Sequence, residues 1–158
     1  TQRVTRAVNL NDLVRQTASQ FLLFTQQSNL ALISDLPPQP VFVAGDEGQI
    51  AQAINGLVSN AIKFCNPGGQ VRILVEKISE HDARITISDS GPGLEPNQLS
   101  KLFSGEARSE LSRPRRFGGL GIGMPLIKEL VTRQNGKIWA ESTLGQGTRF
   151  HITLPAVK

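Results

Sequence analysis

The sequence predicts an α+β sandwich, in which a mixed sheet of about five strands is covered on one face by three helices. Three observations predict this class. Segments with strand and helix periodicity are interleaved, three helical segments carry an apolar stripe, and the last two strands form a hairpin. With 158 residues, 39% of them hydrophobic, the chain is long enough for a single domain with a buried core.

The first third of the chain predicts short strands around one helix. Residues 3–8, 30–35 and 41–44 have strand patterns, and three prolines between residues 37 and 40 form a stiff turn before the last of them. Asn9 or Asn11 can cap the intervening helix. Its apolar positions at helical spacing are Leu10, Leu13, Val14, Thr17, Ala18, Phe21 and Leu22.

The second helix has the clearest pattern. Asp46 is a suitable N-cap, and residues 66–69 (NPGG) end the helix. Its continuous apolar stripe consists of Ile50, Ala53, Ile54, Leu57, Val58, Ala61 and Ile62. Strands are predicted at 70–78 and 83–89, where apolar and polar residues alternate.

The remaining elements end in the hairpin. A short helix fits 96–103, and residues 104–118 have no periodicity, so we expect a loop there. A third long helix begins near Met124 with Leu126, Ile127, Leu130 and Val131 facing inward, and Gly136 is expected to end it. The two closing strands are expected at 137–142 and 148–154.

The composition excludes several classes of site. One cysteine cannot form an internal disulfide, and one cysteine with two histidines cannot complete a zinc site. No apolar run reaches the roughly 18 residues of a membrane span, so we expect no membrane insertion by this segment. Because the chain opens at Thr1 and Met124 is its only methionine, we expect a segment of a longer protein. With a single cysteine and no apolar span, we expect this segment to be cytoplasmic, in a parent protein that is soluble or membrane-anchored.

Three glycine clusters are candidates for phosphate binding: residues 89–93 (DSGPG), 118–123 (GGLGIG) and 145–147 (GQG). The second cluster leads into a helix, whose first backbone N–H groups can bind anions. Neither the dinucleotide-binding pattern nor the Walker pattern is present. One cluster alone indicates an ordinary turn, but three together favour a phosphate site.

The second helix supplies polar side chains beside its apolar stripe. At about 100° per residue, Asn60, Lys63 and Phe64 share one flank, and Gly56 lies one turn earlier. An amide oxygen can ligate Mg²⁺, a lysine can contact phosphate, and an aromatic ring can pack on a purine. The alternative is an ordinary solvent-facing flank.

These segments resemble the motifs of sensor histidine kinases. Residues 57–64 (LVSNAIKF) resemble the N box, 89–93 the G1 box, 119–123 (GLGIG) the G2 box, and 145–148 (GQGT) with Phe150, Leu154 and Pro155 the closing G3 region. The match covers nearly the whole chain, in order and at the family's spacing. It implies the Bergerat-type ATP-binding fold shared with gyrase, Hsp90 and mismatch-repair ATPases.

The resemblance implies roles at the adenine end of the site. Phe64 would pack against the adenine base. Asp89 would accept a hydrogen bond from the adenine amino group, with an ordered water alongside. Gly91 and Gly93 would let the backbone pass close to the base. Thr148 would support the water network around Asp89.

The resemblance also implies roles at the phosphate end. Asn60 would ligate Mg²⁺ and Lys63 would contact phosphate. Residues 94–118 would form the ATP lid, whose Arg108 and then Arg115 or Arg116 would meet the γ-phosphate. The backbone N–H groups that would hold the phosphates belong to Gly119, Leu120, Gly121, Ile122 and Gly123.

The sequence departs from this family at three points. Gly56 stands where kinases have a further Asn and the ATPase relatives a general-base Glu, and Asn55 lies about 100° away around the helix. The F box retains Phe103 and Arg108, but Gly105 and Glu106 replace its Pro and second Phe. The phosphoacceptor helix is absent, because neither histidine, His81 or His151, has its acidic helical context.

We therefore expect the catalytic domain of a two-component histidine kinase, with residues 1–158 as one ATP-binding domain. By the resemblance it would use ATP and Mg²⁺ and pass the γ-phosphoryl to a histidine on the missing dimerisation domain. A response regulator would take the phosphoryl from that histidine, and the full-length protein would be a homodimer. The alternatives are a degenerate nucleotide-sensing module without phosphotransfer and a Bergerat-type ATPase.

The net charge of +4 raises the further alternative of nucleic-acid binding. Residues 94–158 contain ten basic and five acidic residues, whereas residues 1–93 contain seven and eight. Because the expected lid already accounts for much of the basic excess, we expect no nucleic-acid partner.

Overall fold

The computed structural model describes residues 6–103 and 123–157. In this part of the chain the elements are β1 (Arg6–Asn9), α1 (Leu10–Gln27), β2 (Ala31–Asp35), β3 (Phe42–Gly45), α2 (Glu47–Phe64), β4 (Gln70–Lys77), β5 (Asp82–Asp89), α3 (Pro96–Ser100), α4 (Met124–Arg133), β6 (Lys137–Thr143) and β7 (Gly147–Val157). The predicted α+β class with a mixed sheet is confirmed. The described sheet has seven strands rather than about five, because the short strands β1 and β3 also join it.

The long strand β7 organises the sheet, whose order is β1-β3-β7-β5-β4-β2. β5 pairs with β7 along one edge, from Asp82 opposite Pro155 to Asp89 opposite Thr148. β6 pairs along the first part of the other edge, and β3 pairs with the last two residues of β7. β2 is parallel to β4, and the other described pairs are antiparallel.

The helices α1, α2 and α4 form one layer, in which α2 packs between the other two and against the sheet. Alternate residues of the strands face this layer, since successive side chains of a strand point to opposite faces. Among the buried residues of the three central strands are Val71, Ile73, Val75, Ala83, Ile85, Ile87, Phe150, Ile152 and Leu154. All seven stripe residues predicted for α2 are buried as well.

Two predicted inward residues are instead at the surface. Leu22 of α1 is 53% exposed and Leu126 of α4 is 39% exposed. The buried stripe of α1 runs from Phe21 to Thr25, one turn later, so Leu22 lies at its outer edge. In α4 the buried positions are Met124, Ile127, Leu130 and Val131, and Leu126 lies beside that stripe.

Helix boundaries follow from identifiable caps. Asn9, one of the two candidates, caps α1 by accepting from Asp12 N at 3.2 Å. Asp46 caps α2 by accepting from Gln49 N at 3.0 Å. The predicted end of α4 at Gly136 is wrong, because the helix ends at Arg133 and Asn135 takes the left-handed conformation with φ 60°. Asparagine tolerates that conformation better than most residues.

The segment after β5 is only partly described. The short helix predicted over 96–103 covers Pro96–Ser100, and Leu102 is buried just beyond it. The predicted loop at 104–118 lies outside the described residues. Among the helices of residues 6–103 and 123–157, none combines the length and the apolar character required to cross a membrane.

Candidate functional site

Asp89 lies at the end of β5, flanked by β4 and β7, where it pairs with Val71 and Thr148. Its Oδ1 accepts a hydrogen bond from Gly91 N at 2.8 Å. Burial raises the pKa of the Asp89 carboxyl, while hydrogen bonds from the backbone N–H groups of Gly91 and Thr148 partly offset this rise. The site therefore presents a partly desolvated carboxylate, able to accept hydrogen bonds from a ligand.

Glycine at residue 91 allows the loop after β5 to lie against the end of α2. A Cβ atom at Gly91 would lie 2.8 Å from Phe64 O and 2.9 Å from Asp89 Oδ1, too close for either contact. The absence of a side chain at Gly91 therefore lets the Phe64 carbonyl and the Asp89 carboxylate approach the same side of this backbone segment. Gly93 has φ +78°, and a Cβ there would collide with the Thr143 carbonyl.

Thr148 belongs to a hydroxyl cluster that sequence reasoning did not identify as a whole. The Thr148 and Ser142 hydroxyls are 2.9 Å apart, and Ser142 Oγ also donates to Gly147 O at 3.0 Å. Leu94 N donates to Ser142 Oγ at 2.7 Å. Ser142 thus joins the hairpin beside Asp89 to the first residue of the expected lid.

A signal for Ser142 was present in the sequence. The turn between the closing strands sets the register, and in that register Ser142 pairs with Thr148. Because paired residues of an antiparallel hairpin point to the same face, their side chains meet. The contact with Leu94 joins residues 48 positions apart and had no comparable signal.

The predicted flank of α2 faces the start of α4. Asn60, Lys63 and Phe64 are half-buried in the last turns of α2. The side-chain nitrogen Nδ2 of Asn60 donates to Met124 Sδ at 3.3 Å. This contact brings Asn60 beside the residue that follows Gly123, the N-cap of α4.

Gly123 is the one member of the second glycine cluster within the described residues. Its carbonyl accepts from Leu126 N and Ile127 N, both at 3.2 Å, so it begins α4 directly. The other members of this cluster predicted to hold phosphate, Gly119, Leu120, Gly121 and Ile122, lie outside the described residues, as do Arg108, Arg115 and Arg116.

The residues around Gly56 agree with the helical geometry expected for them. Gly56 is buried in α2, and Asn55 Oδ1 accepts from Thr17 Oγ1 of α1 at 2.6 Å. Asn55 therefore faces α1 and does not supply a second amide beside Asn60. Phe103 of the reduced F box lies near α4, with Lys128 Nζ 5.7 Å from its ring centroid.

The two histidines have structural or solvent-exposed surroundings, as expected. His81 is exposed in the turn before β5. His151 is buried, with Nδ1 3.0 Å from Thr86 Oγ1 and Nε2 2.6 Å from Glu141 Oε1, and its ring stacks on Trp139. The hydrogen bond and charge of His151 hold the pKa of Glu141 below its ordinary value.

Cys65, the residue after Phe64, is buried beside the loop that follows Asp89. Its Sγ lies 3.7 Å from Ser90 Oγ and from Gln70 O. Cys65 is only 1% exposed, so its surroundings fit the packing role expected from the sequence.

Comparisons with known proteins show which families and structures this chain resembles. A family model described as "Histidine kinase-, DNA gyrase B-, and HSP90-like ATPase" matches residues 45–158. The sensor histidine kinase RppB of Synechocystis is 34% identical over 92% of this chain and 32% of that protein. WalK of Bacillus subtilis is 33% identical over 83% of this chain and 22% of that protein.

Solved structures share the fold at lower identity. The catalytic domain of histidine kinase ThkA has a TM-score of 0.80 at 24% identity, covering 98% of this chain and 96% of that one. Full-length ShkA in complex with AMPPNP has a TM-score of 0.84 at 22% identity, covering all of this chain and 32% of that one. The chain thus matches a whole catalytic domain, but only about a third of the RppB sequence.

Proposed function

We propose that this chain, which belongs to the histidine kinase-, DNA gyrase B- and HSP90-like ATPase family, is the ATP-binding catalytic domain of a sensor histidine kinase. The observation that carries the proposal is the position of Asp89. Its carboxylate accepts from the backbone N–H groups of Gly91 and Thr148, and the Phe64 carbonyl lies against the same Gly91 segment. The relatives RppB and WalK, both named as sensor histidine kinases, support this assignment.

At the adenine end, the Asp89 carboxylate accepts a hydrogen bond from the amino group of the base, because it is partly desolvated and its oxygens can accept further hydrogen bonds. Gly91 and Gly93 let the backbone approach the base without side-chain collisions. Phe64 packs against the base, and Thr148 supports the polar surroundings of Asp89.

At the phosphate end, Asn60 and Lys63 act from α2 and the glycine cluster acts from the start of α4. Lys63 contacts phosphate as a point charge, and the backbone N–H groups of residues 119–123 hold the remaining phosphate oxygens. Arg108, with Arg115 or Arg116, meets the γ-phosphate from the lid at 94–118.

The Asn60 side chain fits a magnesium ion that arrives with the nucleotide. Within the described residues, no group of three or more His, Cys, Asp or Glu side chains could hold a metal ion. Mg²⁺ commonly keeps several waters and uses substrate phosphates as ligands, so one amide oxygen is a sufficient protein contribution. When bound, the ion neutralises charge on the phosphates.

The reaction that follows is transfer of the γ-phosphoryl group to a histidine on a separate dimerisation domain. Phosphoryl transfer depends mainly on positioning and electrostatic stabilisation, which are the contributions available from this chain. A response regulator then takes the phosphoryl group, and the full-length protein is a homodimer in the cytoplasm. Residues 1–158 act as one ATP-binding domain, and the histidine that accepts the phosphoryl group belongs to the separate dimerisation domain.

Transfer in trans tests the proposal. The chain is mixed with the helical phosphoacceptor domain of its parent protein and ATP labelled at the γ-phosphate. We expect label on the helical domain and none on the chain alone, with loss of labelling for Asp89→Asn. Stable label on the isolated chain would contradict the proposal.

Gly56 favours a second candidate, a nucleotide-sensing module that binds ATP or ADP without transferring phosphate. Gly56 supplies no side chain one turn before Asn60, and Asn55 is hydrogen-bonded by Thr17 instead. The same experiment separates the two candidates, because a sensing module would bind ATP but leave the helical domain unlabelled.

A further inference from the structure

We infer that Met124 is a positioning residue for Asn60: its thioether holds the Asn60 side-chain nitrogen and so directs Oδ1 toward the metal ion of the nucleotide. The inference rests on the proposed function and deepens its magnesium site. The observation behind it is the contact of 3.3 Å between Asn60 Nδ2 and Met124 Sδ.

The chemistry of sulfur selects one orientation of the amide. A thioether can accept a hydrogen bond but has no hydrogen to donate, whereas an amide has a donor end and an acceptor end. Only the Nδ2 end of Asn60 can therefore hydrogen-bond to Met124. Because Nδ2 and Oδ1 are the two branches of one planar group, this contact leaves Oδ1 on the branch away from the sulfur.

Burial makes this selection effective. Met124 is only 7% exposed, and Asn60 is half-buried. At an open surface, water would replace a weak acceptor such as the Met124 thioether. In these buried surroundings water is largely excluded, so an amide group that faces the sulfur without a hydrogen bond costs free energy. The flipped amide would bring Oδ1 against the sulfur and leave Nδ2 directed toward the metal ion.

The position of Met124 gives the contact a functional consequence. Met124 is the first residue of α4 and follows Gly123, which belongs to the cluster proposed to hold the phosphates. One helix start thus orients the metal-binding amide of α2 and supplies backbone N–H groups for phosphate. Residues behind a metal ligand commonly fix its orientation in this way.

The test replaces the sulfur without changing the shape of the site. Leucine has a similar volume to methionine but no hydrogen-bond acceptor, and such exchanges are tolerated well. Dissociation constants for ATP are measured with Mg²⁺ and with EDTA, for wild type, Met124→Leu and Asn60→Ala. The matched control is Leu130→Met, the reverse exchange at a buried position of the same helix.

The measured quantity is the gain in ATP affinity that Mg²⁺ provides. We expect Met124→Leu to reduce this gain by about tenfold, the lower end of what outer-shell partners contribute, because sulfur is a weak acceptor. Its ATP affinity in EDTA and its thermal unfolding midpoint should stay near those of wild type and of Leu130→Met. Adding Met124→Leu to Asn60→Ala should reduce the gain no further.

Two results would overturn the inference, and they differ in what else they affect. If wild type shows the magnesium gain and Met124→Leu keeps all of it, Met124 does not orient Asn60, while the proposed function is unaffected. If wild type binds ATP equally well with and without Mg²⁺, the magnesium role of Asn60 fails together with the inference.

Discussion

The hydroxyl of Ser142 lies 2.9 Å from that of Thr148, across the hairpin that closes the sheet. The same oxygen accepts from Leu94 N at 2.7 Å, so one small side chain connects the surroundings of Asp89 to the chain that leaves the G1 region. The Ser142 side chain therefore links the predicted adenine end of the site to the first residue of the expected lid.

Replacing Ser142 with alanine is expected to destabilise the fold and weaken nucleotide binding. The change removes the acceptor for Leu94 N and a partner of Thr148, and loss of a partner in such partly buried surroundings costs about 1–3 kcal/mol. Urea unfolding measures the change. Ser100→Ala is the control, since its hydroxyl donates to Asn97 O at the exposed end of α3, and we expect a change within about 0.5 kcal/mol. Equal effects of the two substitutions would contradict the role given to Ser142.

Two glycines of the closing turn should respond differently to alanine. Gly145 and Gly147 have φ +81° and +95°, so both substitutions strain the backbone. A Cβ at Gly145 meets open space, whereas one at Gly147 collides with the backbone carbonyl of Asp89. We expect Gly145→Ala to cost about 1–2 kcal/mol and Gly147→Ala at least about 2 kcal/mol more. Similar losses in unfolding free energy would show that the turn can shift away from Asp89.

Asp89→Asn is expected to abolish nucleotide binding without weakening the fold. Burial raises the pKa of Asp89 in the folded state. The unfolded state therefore loses its proton first, and wild-type stability falls as pH rises from about the ordinary value of 3.8 through the raised value. Asparagine removes this fall while keeping an oxygen for Gly91 N. Thermal unfolding is measured for both proteins at a series of pH values. The unfolding midpoint of Asp89→Asn, relative to that of wild type, should increase between pH 3.5 and pH 7. A decrease would contradict this account.

The Glu141 carboxyl is expected to affect the stability of the fold with the opposite pH dependence from Asp89. Its pKa is held below the ordinary value of 4.5, chiefly by the hydrogen bond to His151. The resulting stability is present above the ordinary pKa and is lost as pH falls through the lowered one. The stability difference between wild type and Glu141→Gln should therefore shrink as pH falls below 4.5. Thermal unfolding at a series of pH values checks this, and a constant difference would mean that the interaction does not depend on the charge of Glu141.

Much of the fold could be predicted from local pattern, because its main helices each have a one-sided apolar stripe. The stripe and caps of α2 identify it fully, and the glycine turn identifies the β6–β7 hairpin. The pattern was less reliable at the edges of stripes, where Leu22 and Leu126 are apolar but exposed. At that boundary, packing against a neighbouring helix determines burial, and the sequence of one helix does not contain that information.

The end of α4 illustrates another limit. Gly136 was the expected stop because glycine adopts positive φ without strain, but Asn135 takes that conformation. Gly136 is needed for a different reason, since a Cβ there would lie 2.5 Å from Thr153 O of β7. The need for glycine at residue 136 thus comes from tertiary packing against a strand residue 17 positions away. The local pattern that ends a helix does not contain this information.

The candidate site shows the same division between local and tertiary information. Asn60, Lys63 and Phe64 were identified together because helical spacing alone brings them to one flank. The contacts of Ser142 with Leu94 and of Met124 with Asn60 join residues 48 and 64 positions apart. No periodicity relates such residues, so these two contacts emerged only from the structure, although the hairpin register does predict that Ser142 faces Thr148.

The most direct test of the proposed function is a calorimetric titration of the chain with ATP, with and without Mg²⁺, for wild type and Asn60→Ala. We expect wild type to bind ATP and to bind it more tightly with Mg²⁺. Asn60→Ala should lose at least about tenfold of that gain and keep its affinity in EDTA. Absence of ATP binding by wild type, or an unchanged magnesium gain in Asn60→Ala, would contradict the account of this site.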